Sequence, residues 1–416
     1  METSKVQLCF TRKLRRFGVR TGNALMTSGK QNIIIVAALI LLIAIFGLIN
    51  PNFLTSYNIV SMAQSLAPYA ILALGVTFVI ATGGIDLSIG TVCIACAVLA
   101  GKMYELRWIP LWMTIPVMIL LGAVFGLVNG VLVAKLKIPA FIATLGTMML
   151  SRGLSAILVV APNIFYPTGT WFNRAFSNLN GFPIGLVWVV ALMLLCMYLM
   201  YKNRIGRYIL AIGSNEEATR LSGINVDKYK ILAYLFTGIG AGIAAIFWAA
   251  SFPTVAAATG NGFELDAIAG VYIGGTSAAG GIASVAGSVI GSLMLVVIRS
   301  GLNFVLAITP LDINATYVTY VLTGIIVVAA VLMDIVKNNK ANRVKVQTPV
   351  QKLKHTYREE REALRCQMDV LVSDKTMDPD ERANQIQLLR ETMENQKREY
   401  EQKRAELAAQ PPAADA

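Results

Sequence analysis

Residues 33–49 read Ile33-Ile-Ile-Val-Ala-Ala-Leu-Ile-Leu-Leu-Ile-Ala-Ile-Phe-Gly-Leu-Ile49, and they lie in a window from residue 31 to residue 85 that contains no Asp, Glu, Lys or Arg. A helix needs roughly 20 apolar residues to cross the hydrocarbon of a bilayer. The window therefore holds two crossings, parted by the turn-formers Asn50-Pro51-Asn52-Phe53 and Ser56-Tyr57-Asn58. Working outward, a third span runs from Asp86 to about Gly101, a fourth from Trp108 to Ala134, a fifth follows Pro139, and a sixth runs from Ile184 to Tyr201. Residues 231–251, 266–278, 285–308 and 313–333 supply four more apolar segments, the second of them short and Gly-rich. The expected fold is an all-α multi-pass membrane protein of about ten transmembrane helices.

Charge placement divides the chain. Residues 1–30 hold seven Lys/Arg and one acid, and residues 335–416 hold sixteen and fourteen, which leaves thirteen bases and nine acids across residues 31–334. Three domains are expected: a basic cytoplasmic arm (1–30), a membrane domain (31–334) and a charged cytoplasmic tail (335–416). Lys135 and Lys137, the loop 202–230 with six bases, and Lys337–Lys345 all fall inside if both termini are cytoplasmic, as the positive-inside rule requires. Lys102 and Arg107 fall outside, partly offset by Glu105. The net charge of +12 is thus a topology signal and not a nucleic-acid footprint. The first apolar run ends in Asn50-Pro51-Asn52, which reads as a span and not as a cleaved signal. The five cysteines have no disulfide-scaffold spacing, and Cys93 and Cys96 read as small apolar side chains.

Enzyme chemistry finds few residues to use. No metal-spaced cluster occurs, the one histidine, His355, lies in the tail, and Gly22–Lys30 lacks the glycine spacing and the Ser/Thr of a phosphate-binding loop. No cofactor is expected in this chain. Any uphill transport must draw its energy from an ion gradient or from another polypeptide.

Glycines four apart (Gly122, Gly126 and Gly130; Gly238 and Gly242; Gly270 and Gly274; Gly287 and Gly291) read as helix-packing faces. Two other segments break helices at membrane depth. They are Gly83-Gly84-Ile-Asp86-Leu-Ser88 and Gly274-Gly275-Thr276-Ser277-Ala-Ala-Gly-Gly281, and broken backbone there is tolerated only against protein or a water-filled cavity. The acids Asp86, Glu264, Asp266 and Asp312 sit at expected helix ends, so two readings stay open: helix caps or translocation pathway.

Between two spans, Arg204 to Val226 encloses a short helix, capped by Ser214 or Asn215 and ended by Gly223, placed for mechanical contact with a soluble partner. The arm 10–20 suits an anionic inner leaflet or serves as a plain topology determinant. In the tail, Asp378, Pro379 and Glu381 form a helix start at the end of a break at 373–379. Thin apolar stripes on both sides of that break suggest a helical hairpin or coiled coil, with a solvated tail as the alternative.

Three of these stretches occur together in order: Ala81-Thr-Gly-Gly-Ile-Asp-Leu-Ser-Ile-Gly90, the Ala211–Val226 loop, and Glu264-Leu-Asp-Ala-Ile-Ala-Gly-Val-Tyr-Ile-Gly-Gly-Thr-Ser-Ala-Ala-Gly-Gly281. The chain thereby resembles, from about Asn50 to Met333, the permease subunits of bacterial ATP-binding-cassette importers for ribose and related monosaccharides. The resemblance implies a protein of the bacterial inner membrane, working as a dimer with a second copy or a paralogue. Its implied partners are cytoplasmic ATPase subunits that bind the ATP, and an external sugar-binding protein. It also implies a coupling helix that docks on the ATPase, carried here by Gly213, Asn215, Glu216, Glu217, Ala218, Thr219, Arg220 and Gly223. Thr219 departs from the alanine common in such loops, and the tail after Lys345 has no counterpart. Alternatives are a permease for another small solute (an autoinducer-type sugar, a nucleoside, a branched-chain amino acid), a gradient-driven carrier, or a membrane-anchored scaffold.

Overall fold

The computed structural model describes residues 33 and 35–308 except 159–162, 253, 257 and 258, parts of 318–332 and 353–372, and residues 378–409. The basic arm, Asp312, Lys337–Lys345 and His355 lie outside the described residues, as does most of the expected last crossing. Two compact units result, residues 27–338 and the terminal segments 1–26 with 339–416.

The first helix, α1 (Ile35–Ile49), stops at Asn50 as its turn residues require. Asn50 Oδ1 accepts from Asn52 N at 3.0 Å and its Nδ2 donates to the Phe304 carbonyl at 3.0 Å, so the buried amide is bonded at both ends. A 3₁₀ turn at Pro51–Leu54 then leads into α2 (Ser56–Ala81), the central helix of the bundle. After the break at 82–88 come α3 (Ile89–Glu105), α4 (Thr114–Ala134) and α5 (Ala140–Leu158), the last beginning directly after Pro139. The loop that follows holds a strand, β1 (Asn163–Phe165), and the short helix α6 (Trp171–Phe176). Next, α7 (Gly185–Met197) runs into a π-turn at Tyr198–Lys202, α8 (Arg204–Ser214), α9 (Glu216–Leu221) and α10 (Val226–Ser251). A strand β2 (Thr254–Ala256) pairs antiparallel with β1, Ile164 facing Val255. The unit then continues through α11 (Phe263–Ile273) and α12 (Val285–Leu306).

Six of these helices, counting Leu111–Ala134 and Gly185–Lys202 as continuous, are long and apolar enough to cross a membrane. The protein is a helical multi-pass membrane protein, and the only sheet among its described residues is the three-residue ribbon β1–β2. Among the described residues, the expected crossings at α1, α3 and α11 are shorter. α3 has 17 residues and α11 only 11, because each is interrupted by glycine-rich backbone.

Packing follows the small residues. α10 packs most extensively on α4 and then on α2. Gly122 and Gly126 meet Gly238 and Gly242 backbone to backbone, and Gly130 meets Ile231. Likewise Gly270 and Gly274 of α11 meet Gly291 and Gly287 of α12. The outer side of α4 carries Leu120, Val124, Leu127 and Val128, all exposed, which suits hydrocarbon. Cys93 and Cys96 are wholly buried as free thiols in the core shared by α2, α3 and α10.

In the tail unit, one helix spans Pro379–Ala409 and starts at the Asp378-Pro379 pair, with the Asp378 carbonyl accepting from Arg382 N at 2.9 Å. Tyr357 stacks on Tyr400 with ring centroids 4.3 Å apart.

Candidate functional site

The segment after α2 builds a closed polar network. Asp86 Oδ1 accepts from the Ser88 amide at 2.9 Å and from its hydroxyl at 2.6 Å. Asn129 Nδ2 on α4 donates to Ser88 Oγ at 2.9 Å, and Thr147 Oγ1 on α5 donates to Asn129 Oδ1 at 2.7 Å. All four side chains are buried. Asp86 therefore does not cap the first turn of α3. It holds an Asx-type turn two residues long ahead of that helix and ties α3, α4 and α5 together. Next to it, Gly84 lies against the hydroxyl of Tyr234, which donates to the Ile85 carbonyl at 3.3 Å, and Gly83 faces the backbone of Ala279.

The two acids of α11 part company. Glu264 reaches back to Gly262 N at 3.3 Å, as a first-turn carboxylate does, and leaves Oε2 buried without a partner. Asp266 is no cap: it forms an ion pair with Arg299 of α12. Arg299 also donates to Tyr69 Oη at 2.9 Å, with its guanidinium 5.2 Å from the centre of that ring. Arg299 and Tyr69 escaped the sequence reading. A lone arginine in an apolar helix was the available signal, since such a charge needs a partner.

Beside Tyr69 and Arg299 lies a cavity of about 260 Å³, lined among others by Asn58, Ser65, Tyr69, Trp248, Arg299 and Asn303. Tyr69, Trp248 and Phe263 pack edge-on or tilted with centroids 4.6–6.3 Å apart, and Phe252 joins Trp248 at 4.4 Å. The arrangement offers aromatic faces beside hydroxyl, amide and guanidinium groups.

At the opposite end of α11, the break at Gly274-Gly275-Thr276-Ser277 folds back on itself. Thr276 Oγ1 accepts from Ser284 N at 3.0 Å, and Ser277 N donates to the Ile282 carbonyl at 3.1 Å. Gly281 N donates to the Ala81 carbonyl at 3.0 Å, so this loop sits on the end of α2. Gly213 packs into the same spot, against Ala81 and Gly281, and it belongs to α8 and not to the following short helix.

The loop helix itself, α9, is capped by Asn215, whose Oδ1 accepts from Ala218 N at 2.9 Å. It ends at Gly223, whose φ of 80° only glycine adopts cheaply. Glu216 is gripped by Arg220 at 3.1 Å and by Lys230 of α10 at 2.6 Å. Partial burial pushes its carboxyl up, but these two cations outweigh that and hold it below the usual carboxylate range. Thr219 points inward: it is buried and donates to the Asn215 carbonyl at 2.7 Å, so its departure from alanine lies away from the outer face. Outward stand Glu217, Ala218 and Leu221, the leucine 87% exposed. Leu221 was a further residue missed, and an exposed leucine at a helix tip is its own signal.

Among the described residues, no three His, Cys, Asp or Glu side chains group so as to hold a metal ion. Residues 58–331 match the family described as branched-chain amino acid transport system / permease component. The chain is 38% identical over 309 residues to the ribose import permease protein RbsC of Escherichia coli, covering 71% of this chain and 91% of that one. It is 35% identical over 311 residues to the L-arabinose transport system permease protein AraH of Escherichia coli (75% and 91% covered). It is 36% identical over 235 residues to the fructose import permease protein FruG of Bifidobacterium longum (54% and 68%). No solved structure matches the chain. Its relatives are permeases and not enzymes, its described helices suit a bilayer, and the chain belongs to this family of transport-system permease components.

Proposed function

We propose that this chain is the membrane-spanning subunit of an ATP-driven importer that passes a monosaccharide across the bacterial inner membrane. The observation that carries the reading is the likeness to ribose, arabinose and fructose import permeases along most of their length. ATP is bound and hydrolysed by a cytoplasmic partner, and an external binding protein delivers the sugar. The pore is completed by a second copy or a paralogue. The membrane domain crosses about ten times with both termini inside, the short α3 and α11 being paired with broken backbone. The tail is cytoplasmic, and its described residues form a helical hairpin or coiled coil, for which the Tyr357–Tyr400 stack is the support.

α9 is the coupling helix. Three features favour it: stiff caps at both ends, two cationic grips on Glu216, and an outer face of Glu217, Ala218 and Leu221 in which the leucine is 87% exposed. Glu216→Arg combined with Gly223→Pro removes the grips and the turn together, because proline cannot take the φ of residue 223. Purification of the double variant in mild detergent should lose the ATPase that accompanies the wild type. A variant that keeps both its ATPase and its sugar uptake overturns the assignment of α9.

A further inference from the structure

Where α7 gives way to α8, the chain turns a corner that gathers positive charge. The turn is tight: a side chain at Gly206 would collide with the carbonyls of Leu199 and Met200, so α8 folds back directly on the π-turn. Lys202, Arg204 and Arg207 stand exposed around it, and Arg207 Nη1 donates to the Lys202 carbonyl at 3.4 Å, which draws its guanidinium towards Lys202. No acid occurs between Glu105 and Glu216, and among the described residues none of these three bases has an ion pair. Other bases near α9 are neutralised, Lys137 by Asp227 and both Arg220 and Lys230 by Glu216. The chain reaches this corner along a face made for hydrocarbon. α7 buries Gly185 and Val189 and leaves Val187, Val190, Leu194 and Leu195 exposed. Tyr198, 60% exposed, comes one turn after Leu194 and one turn before Lys202. Tyrosine at the end of a lipid-facing helix sits at the level of the headgroups.

We infer that this corner holds an anionic phospholipid of the inner leaflet, resting on the inward orientation proposed above. The phosphodiester lies among Lys202, Arg204 and Arg207, and an acyl chain runs along Leu194, Leu195 and Tyr198. Arginine suits that headgroup because its planar fork donates two parallel bonds to phosphate oxygens, while the lysine adds a point charge. The start of α8 at Arg204 turns the positive end of its dipole to the same place. A soluble anion would meet the same charges but leave the α7 face unused. A zwitterionic lipid would fill that face and bring its own cation to the bases. Only a lipid with net negative charge satisfies both halves of the site. Because α8 leads directly into α9, a lipid held here ties the near end of the loop helix to the leaflet.

The test titrates palmitoyl-oleoyl phosphatidylglycerol or phosphatidylcholine onto the complete transporter, purified in mild detergent, and counts bound lipids by native mass spectrometry. The probe is the triple variant Lys202→Gln, Arg204→Gln and Arg207→Gln. The control is Lys397→Gln, Arg398→Gln and Lys403→Gln, an equal loss of charge on the exposed helix of the tail. Each base near an anionic headgroup is worth roughly fivefold in affinity. The wild type and the control should therefore bind phosphatidylglycerol at least tenfold more tightly than phosphatidylcholine, and the probe should lose that preference. Equal binding of the two lipids by the wild type, or a preference that survives in the probe, overturns the inference. Inorganic phosphate that displaces phosphatidylglycerol at equal concentration would show a site for free anions and overturn it too. A probe that sheds the co-purifying ATPase would assign the three bases to a protein interface instead. Lipid binding in detergent does not depend on which sugar is carried, so uptake by the wild type in proteoliposomes tests the importer reading separately.

Discussion

Arg299 shows how a single side chain can be energetically expensive and still be retained. Its charge is balanced by Asp266, 33 positions earlier, and steadied by Tyr69, on a third helix. Removing one partner of a buried pair strands the other, which costs about 3–5 kcal/mol, whereas replacing both with apolar groups is often neutral. The Arg299 side chain is 26% exposed, so a value of roughly 2–3 kcal/mol is appropriate for Arg299→Met. The double variant Asp266→Leu with Arg299→Met should recover at least half of that loss. Thermal midpoints of the purified proteins in one detergent check this, and a double variant less stable than Arg299→Met alone refutes the pairing argument. The pair was not legible from the chain. Asp266 lies in the first turn of a helix, where an acid is stabilised by the helix dipole, and that local explanation is sufficient until the long-range partner is seen.

Helices were easier to read than their partners. The Asn50-Pro51 turn, the start of α5 after Pro139, and the Asn215 and Gly223 limits of α9 all rest on local backbone chemistry, which the sequence carries directly. Glycine spacing likewise marked the packing faces of α4, α10, α11 and α12, but spacing says nothing about which face meets which. The β1–β2 ribbon left no readable signal because three-residue strands show no periodicity. The α4–α10 crossing is the sharpest consequence of the glycine pattern. A methyl group on Gly238 would come within 2.7 Å of Gly126 Cα and 2.8 Å of Gly126 N, so one helix must move. Gly238→Ala should therefore destabilise the protein by about 1–3 kcal/mol. Gly146→Ala is the matched control, since nothing lies within 4 Å of its added carbon and alanine is the better helix former by up to about 1 kcal/mol. A lowered thermal midpoint for Gly238→Ala beside an unchanged or raised one for Gly146→Ala is expected. Equal midpoints would show that the crossing tolerates separation.

Across the molecule, the groove beside Arg299 and the loop helix α9 are joined by backbone. α2 runs from Asn58 at the cavity to Ala81, whose carbonyl accepts from Gly281 N and faces Gly213 of α8. α12 runs from the same cavity back to Val285, whose amide donates to Tyr201 Oη at 3.1 Å, while that hydroxyl donates to the Ala283 carbonyl at 3.0 Å. Tyr201 sits in the π-turn that leads into α8, and α9 follows α8 directly. A displacement of α9 thus reaches α2 and α12 through contacts too close to absorb it, since packed backbone shifts as a unit. Gly213→Val crowds this junction without touching the outer face of α9. It should leave the ATPase bound and hydrolysing ATP while sugar uptake falls at least tenfold, the opposite pattern to the variant of Glu216 and Gly223 that sheds the ATPase. Tyr201→Phe, which removes only the bridging hydroxyl, should show a milder form of the same uncoupling with the thermal midpoint little changed. Uptake that stays proportional to ATP hydrolysis in both variants would mean that any movement of α9 reaches α2 and α12 by a route other than α8.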